Sequence, residues 1–421
     1  MPPPSTAEVV VIGAGLAGLS AAVRLQAAGT DVHVLESSGS VGGRLTTERI
    51  DGFVVDQGFQ VLNTGYPRAA DLDLDALELG WFWPGAVFRV DGRVHRVLDP
   101  RRRPSGAPGT FRAPLGSLRE RAALARYALT AAYSPVARLS EATDQPAAQA
   151  LLAAGVGRTA IERFLRPFLA GVLLESELST SRRYVDLLLR SFVRGAIGLP
   201  ASGMQAVGEQ LASRLDRARL HLRTPVTAIS TGLVTTARGT CHTDAVVVAA
   251  DPSAAAALLP GLDAAAPRQV TTHLHVLPTS PWSAPLIVLG EPGGRLVNSV
   301  VVSDAQPRYS PDGRALLASS SLAPTAERDV RAEIARMHGV LVAELEHLST
   351  VTVHGAQPAA LPPLDLRRPV DLGGGLYVCG DHRDTPSIQG AMASGARAAR
   401  AVIRALRPAS GTAPTSSREE S

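Results

Sequence analysis

The chain has 421 residues, 45% of them hydrophobic and 19% charged, and a formal net charge of +4. Its length exceeds the ~250–300 residues at which a single hydrophobic core stops growing, so two domains are expected, and its composition excludes wholesale disorder. Every basic side chain is arginine and aromatics are only 4%, so the charge reads as scattered solvated arginines and excludes nucleic-acid binding, which wants basic clusters interleaved with aromatics.

The N-terminus shows no basic start or apolar middle of a signal peptide. No run reaches the ~18 apolar residues of a membrane span; the best, Ala245 to Leu262, is broken by Asp251, Pro252 and Pro260. A cytoplasmic location is therefore expected. Cys241 and Cys379 provide neither a disulfide framework nor a metal cluster, and the ten histidines show no metal-ligand spacing.

Glu8 to Ile12 is a short β-branched run that predicts a buried parallel strand. Gly13, Ala14, Gly15, Leu16, Ala17 and Gly18 follow, then Leu19 to Ala28, closed by Gly29, which predicts a helix. Asp31 to Leu35 predicts a second strand, ending in Glu36 and Ser37. In that order Gly13 permits a tight turn, Gly15 lets backbone approach a pyrophosphate, and Gly18 lets helix and strand pack closely. The helix N-terminus presents N–H groups to the phosphates, and Glu36 is placed to accept from ribose hydroxyls. The unit implies a dinucleotide without separating NAD from FAD.

Residues 37–44 continue Ser-Ser-Gly-Ser-Val-Gly-Gly-Arg. Here the sequence resembles the superfamily of FAD-dependent amine oxidases and phytoene (carotenoid) desaturases, which carries a Gly-Gly-Arg shortly after the ribose-binding acid. The resemblance implies that Gly43 approaches the cofactor and that Arg44 meets its diphosphate, a role suited to a guanidinium. Asp51 to Pro67 is similar to a segment of plant-type carotene desaturases, which implies Gly58 against the isoalloxazine and Gln60 on the substrate side. Residues 199–204 resemble the return into the cofactor domain, and Thr224 to Ile229 the strand whose Val226 backbone contacts adenine. In the family the acid of Gly380-Asp381 lies on the ribityl hydroxyls and phosphates. The final helix, from Ile388, points its N-terminus at the pyrimidine end of the ring, where reduced flavin gathers negative charge.

Between these marks, Arg112 to Leu139 and Tyr184 to Val193 predict helices, and Leu286 to Leu289, Val297 to Val302 and Ala315 to Ser319 predict strands. Leu115, Leu118, Ala122, Ala125 and Leu129 recur at helical spacing. Such a stripe is usually core packing, and the sharper alternative is a helix guiding an apolar substrate in from a membrane surface. Gly155 to Ala160 mimics a second dinucleotide motif, but a helix former precedes it and Pro167 would break the crossover helix, so no NAD(P)H site is expected.

The expected fold is α/β: a Rossmann-like, doubly wound FAD-binding domain from about 1–78, 200–260 and 355–407, with an inserted mixed-sheet and helical substrate domain from 79–199 and 261–354. The ends, 1–6 and 408–421, are expected to be disordered. The expected activity is removal of a hydride from a C–H bond of an apolar, isoprenoid- or polyene-like substrate to non-covalently bound FAD, with oxygen or a quinone as acceptor and a peripheral membrane contact in keeping with it. Family amine oxidases hold a lysine near the flavin and an aromatic cage for the amine. This chain has no lysine and places Ser387 where an aromatic stands, although Phe59 or Tyr309 would rebuild such a cage. Amine oxidation with peroxide release therefore stays open, as does a non-redox isomerase or scaffold with structural FAD. Gln60, Arg383 and Ser387 are weaker candidates for the substrate pocket. His382 is either a proton acceptor near the flavin or a structural loop residue, and Cys379 reads as a small core residue. No nucleophile elbow supports a serine hydrolase, and no catalytic residue is assigned.

Overall fold

Val9, Val10 and Val11 are fully buried in the strand Thr6–Ile12, as a strand covered on both faces requires. The computed structural model describes residues 4–282 and 284–407. This strand is central in an eight-stranded sheet, parallel to Val32–Leu35 on one side and to Gly239–Val248 on the other. Leu220–His221 extends one edge in parallel, and Leu233–Thr236 with Val226–Ser230 extends the other as an antiparallel meander. Gly239–Val248 divides its partners: its first half pairs with Leu233–Thr236 and its last residues with Leu376–Val378. The helix Leu16–Ala27 is the crossover between the first two strands. The final helix, Ile388–Leu406, packs so closely on it that a Cβ on Gly395 would stand 2.1 Å from the Ala17 carbonyl oxygen.

A second, seven-stranded mixed sheet runs in the order Glu346–Pro358, Pro267–Leu277, Ala315–Ser321, Leu296–Val301, Ile287–Leu289, Gly85–Val90, Arg93–Leu98. Only the contact of Ile287–Leu289 with Gly85–Val90 is parallel. Val9, Val11 and Phe53 share one apolar cluster with Leu274, Val300, Tyr309 and Leu316, so the two sheets meet in a continuous core. Among the described residues no helix is long and apolar enough to cross a membrane.

The predicted strands and the helix over Tyr184–Val193 are present, the latter as Arg182–Arg194. Residues 155–160 follow the helix Ala147–Ala153 and no strand, so they lack the setting of a dinucleotide turn. Three expectations need correction. Ser5 and Thr6 are ordered: the Ser5 carbonyl accepts from the His242 N–H at 2.9 Å and Thr6 opens the first strand. Residues 1–3 and 408–421 lie outside the described residues.

The predicted helix Arg112–Leu139 is three helices, Ala107–Arg112, Leu118–Tyr133 and Val136–Glu141. Pro114 and Gly116, the latter at φ +94°, break the first junction. Ser117 then caps the second helix in a reciprocal box with Glu120, and Pro135 follows its end. Of the apolar stripe only Leu115, ahead of the helix, is buried; its helical part is not the core face, for Leu118 and Leu129 are 79% and 44% exposed. The helix packs inward through Ala123 and Ala131 instead, with the Tyr127 hydroxyl donating to Asp186 at 2.6 Å.

Two buried histidines tie the second sheet to acid sensitivity. The Trp282 indole N–H donates to His338 Nδ1 at 2.7 Å, which leaves the proton on Nε2, 2.7 Å from the Ser299 hydroxyl. Burial holds His338 down to about 3 and His273 to about 4, against an ordinary 6.5. Because both folded values lie below the unfolded one, the stability they provide is complete above 6.5 and is lost as pH falls from there. Each should add about 1.4 kcal/mol per pH unit to the slope of unfolding free energy below pH ~6. Urea titrations across that range should show this, and His338→Gln should remove one share of the slope.

Candidate functional site

Not all the glycines of the first turn serve the same end. Gly13 sits at φ +104°, and a Cβ there would stand 2.9 Å from the Ala249 carbonyl oxygen. A Cβ on Gly18 would stand 2.0 Å from the Gly13 carbonyl oxygen. The fold itself therefore demands both glycines. Gly15 has an ordinary φ of −73°, and its added Cβ would meet only the Gly43 α-carbon, at 3.9 Å. Nothing among the described residues crowds a side chain at 15, whereas a pyrophosphate on the backbone between Gly15 and Gly43 would. Leu16 and Ala17 open the helix there, with N–H groups that lack intrahelical partners.

Glu36 is buried at the margin of this turn. One carboxylate oxygen accepts from the Ala14 N–H at 2.7 Å, and the other accepts from Ser38 N–H at 2.7 Å and the Ser37 hydroxyl at 3.2 Å. The Glu36 carbonyl accepts from Thr224 N–H at 2.7 Å, which brings the start of the strand at Val226 to the same edge. From the second glycine pair, at φ +108° and +61° for Gly42 and Gly43, Arg44 reaches Asp381 at 2.6 Å and the Ala356 carbonyl at 2.9 Å. Burial works against the charge of Arg44, but Asp381 outweighs it and holds the guanidinium more basic than usual. The structure thus joins two motifs 337 residues apart into one cationic–anionic pair beside the glycine turns.

Past Asp381, the His382 ring covers Gly380; burial pushes it down to about 4, and both its nitrogens lack partners among the described residues. It is a neutral imidazole at ordinary pH. Arg383 donates to the Pro369 carbonyl, and Ser387 caps the final helix by accepting from the Gly390 N–H at 3.1 Å. The N–H groups of Ile388 and Gln389 lie between that cap residue and Gly390, at the open end of a 19-residue helix.

Gly58, at φ +94°, adjoins a narrow cavity lined by Val54, Asp56, Phe59, Gln60, Leu199, Thr272, Leu274, Val302, Tyr309, Leu316 and Ala318. Arg383 and Ser387 are not among these lining residues. Asp56 is spent: its oxygens accept from the Thr47 hydroxyl at 2.5 Å, the Met204 N–H at 2.9 Å and the Tyr309 hydroxyl at 2.7 Å. Burial raises the Asp56 carboxyl, and burial beside Asp56 raises the Tyr309 phenol well above its usual range. Gln60 donates to the carbonyls of Arg44 and Gln57, which leaves its Oε1 buried without a partner among the described residues, as is Thr272 Oγ1. Sequence reading missed Thr272 and the Asp56–Tyr309 pair. The strand Pro267–Leu277 alternates faces, but its Thr-Thr-His-Leu-His run does not say which face is inward.

These residues fit FAD: an open glycine cradle, a buried acid at its edge, a guanidinium and a helix mouth. Gly15→Ala should fold normally, with thermal unfolding of the flavin-free protein unchanged, yet bind FAD at least about tenfold more weakly, ~1.4 kcal/mol. Gly18→Ala should destabilise the fold itself. Flavin titration and thermal melts separate the two outcomes.

The sequence profile of the flavin containing amine oxidoreductase family matches residues 16–403. Relatives include 4,4'-diapolycopene oxygenase of a Methylomonas species, 50% identical over 55 residues (13% of this chain, 11% of that protein). Protoporphyrinogen oxidase 2 of Arabidopsis thaliana is 39% identical over 72 residues (17% of this chain, 14% of that protein). The first curated relatives are matched over only 7% to 19% of their own length. Among solved structures, an oxidoreductase from Methanosarcina mazei superposes with a TM-score of 0.71 at 20% identity, over 92% of this chain and 98% of its own. Cyclohexylamine oxidase from Brevibacterium oxydans superposes with a TM-score of 0.69 at 19% identity, over 96% and 100%. The chain belongs to the flavin containing amine oxidoreductase family.

Proposed function

We propose that the protein removes a hydride from a carbon of an apolar, isoprenoid- or polyene-like substrate, as a desaturase or dehydrogenase. We further propose that it holds FAD non-covalently between segments 1–78, 200–260 and 355–407, and that the remaining segments shape the substrate side. The observation that carries the reading is the wall of the cavity at Gly58. Val54, Phe59, Leu199, Leu274, Val302, Leu316 and Ala318 make it apolar, and its one carboxylate is consumed by three donors. Such a wall binds and orients a hydrocarbon while excluding water, and hydride transfer from carbon depends on that positioning. When bound, FAD would supply the hydride acceptor, and oxygen or a quinone would reoxidise it. At about 20 Å³ the cavity has room for little more than a water molecule, so substrate binding widens it. An apolar substrate of this kind is met at a membrane surface.

A second reading, amine oxidation, draws on the same cavity. Phe59 and Tyr309 both line it, and an amine N–H would satisfy Gln60 Oε1 or Thr272 Oγ1. Anaerobic mixing decides between them. Polyenes and isoprenoids should bleach the oxidised flavin, and a broad panel of amines should not; the reverse result supports the amine reading, and no bleaching by either returns FAD to a structural role. Thr272→Val should leave reduction by a hydrocarbon within about threefold, whereas an amine held by that hydroxyl would lose roughly tenfold.

A further inference from the structure

The residues between 101 and 140 contain eight arginines and one acid, Glu120, for a net charge of +7. The whole chain carries +4, so the other 381 residues sum to −3. The positive charge is therefore concentrated in one segment rather than scattered, with Arg101 alone of the eight ion-paired among the described residues, to Asp99 just outside it. That segment also holds Phe111, Leu118, Leu129, Tyr133 and Val136, which are 69%, 79%, 44%, 68% and 40% exposed. They are five of the twelve large hydrophobic side chains exposed among the described residues. On the helix Leu118–Tyr133, Leu118, Ala122, Ala125, Leu129 and Tyr133 fall on one outward face, with exposed Arg119 and Arg126 beside them.

The face is held outward by its anchors. The Tyr127–Asp186 bond, and donation from Arg190 to the carbonyls of Ala132 and Ser134, fix the inner side of this helix to Arg182–Arg194. Arg121 donates to the carbonyls of Phe111 and Ala113, which ties the preceding helix to it. No carboxylate pairs with Arg112, Arg119, Arg126 or Arg138 among the described residues. At the far end of the rib, Arg101, Arg102, Tyr133, Val193 and Arg194 line an open basin of about 430 Å³. Apolar side chains standing out of an arginine-rich field are the pattern of an interfacial helix on an anionic bilayer. The rib also lies one helix from the proposed cofactor path: Tyr184, on Arg182–Arg194, donates to the Pro386 carbonyl at 2.7 Å, immediately before the cap of the final helix.

We propose that residues 107–136 form a docking surface for an anionic membrane, with the five apolar side chains entering the acyl boundary and the flanking arginines facing lipid phosphates. This extends the apolar-substrate reading by naming the partner surface, and lipid binding tests it separately from any turnover. The flavin-loaded protein is floated with vesicles of phosphatidylcholine alone and of phosphatidylcholine mixed with phosphatidylglycerol, at low and high salt. Binding should favour the anionic vesicles by at least about tenfold and weaken with salt. The double variants Leu118→Ser/Leu129→Ser and Arg119→Gln/Arg126→Gln should each weaken it by roughly tenfold or more, with flavin content and spectrum unchanged. Equal binding to neutral vesicles, no binding to either, or full binding by both variants overturns the proposal. So does a dimer in solution that Leu118→Ser/Leu129→Ser dissociates, since the rib would then belong to a contact between copies of this chain. A vesicle-bound protein whose flavin no hydrocarbon reduces would leave this surface standing and remove the substrate reading.

Discussion

The carbonyl oxygen of Gly13 fills the space where residue 18 would carry a side chain, and the geometry of the cofactor end follows from that contact. It sets the first helix against the end of the first strand, so that its N-terminus opens beside Gly15. The same helix is approached from the other side by the last one. Gly395 meets the Ala17 carbonyl, and the Ser20 hydroxyl donates to the Met392 carbonyl at 2.9 Å. Two helices drawn from opposite ends of the chain thus touch backbone to backbone. In the proposed binding mode the N–H groups of Leu16 and of Ile388, which open these two helices, would serve one cofactor path, where a bulkier contact would have driven the helices apart.

What could be read in the sequence was what local chemistry dictates. The strand, glycine turn, helix and terminal acid of residues 6–36 are each fixed by short-range rules, and they fall where those rules place them. Arg44 and Asp381 were named separately, from two motifs; their ion pair is a product of the fold. Periodicity failed where it has no sign. The spacing of Leu118, Ala122, Ala125 and Leu129 defines a face but not its direction, and the small Ala123 and Ala131 permit the closer inward packing. The break before that helix was legible and unread, since Ser117-Leu-Arg-Glu120 is a capping-box sequence behind Pro114 and Gly116. The crowding of arginine into residues 101–140 was equally visible and was averaged away by the charge of the whole chain.

The cavity side depends on a different balance. Asp56 belongs to the segment leading to Gly58, Met204 opens the helix Gln205–Ala212, and Tyr309 comes from the connection between the second-sheet strands Leu296–Val301 and Ala315–Ser321, so one buried carboxylate knits three distant pieces. Left unpaired, that charge would cost several kcal/mol at this depth, about what burying an isolated carboxylate costs in proteins. With three donors satisfied, it fixes where Gly58 and its cavity lie without offering a free base to a substrate. The polar atoms still unmet there are uncharged, an amide oxygen and a hydroxyl.

The absence of lysine sharpens this point. A buried lysine can shed its proton and hold water or exchange protons beside a flavin, whereas an arginine keeps its charge at any working pH. In this chain every cationic side chain other than histidine is of the second kind. Near the cofactor path, Arg44 is committed to Asp381, and His382 is neutral and packed on Gly380. A reaction whose rate depended on a tuned amine would find no group here to perform it. In the proposed desaturation the hydride half depends on holding a C–H bond against a flat acceptor, which the apolar walls and the fixed Gly58 turn favour. The proton that must also leave would pass to solvent rather than to the committed Asp56.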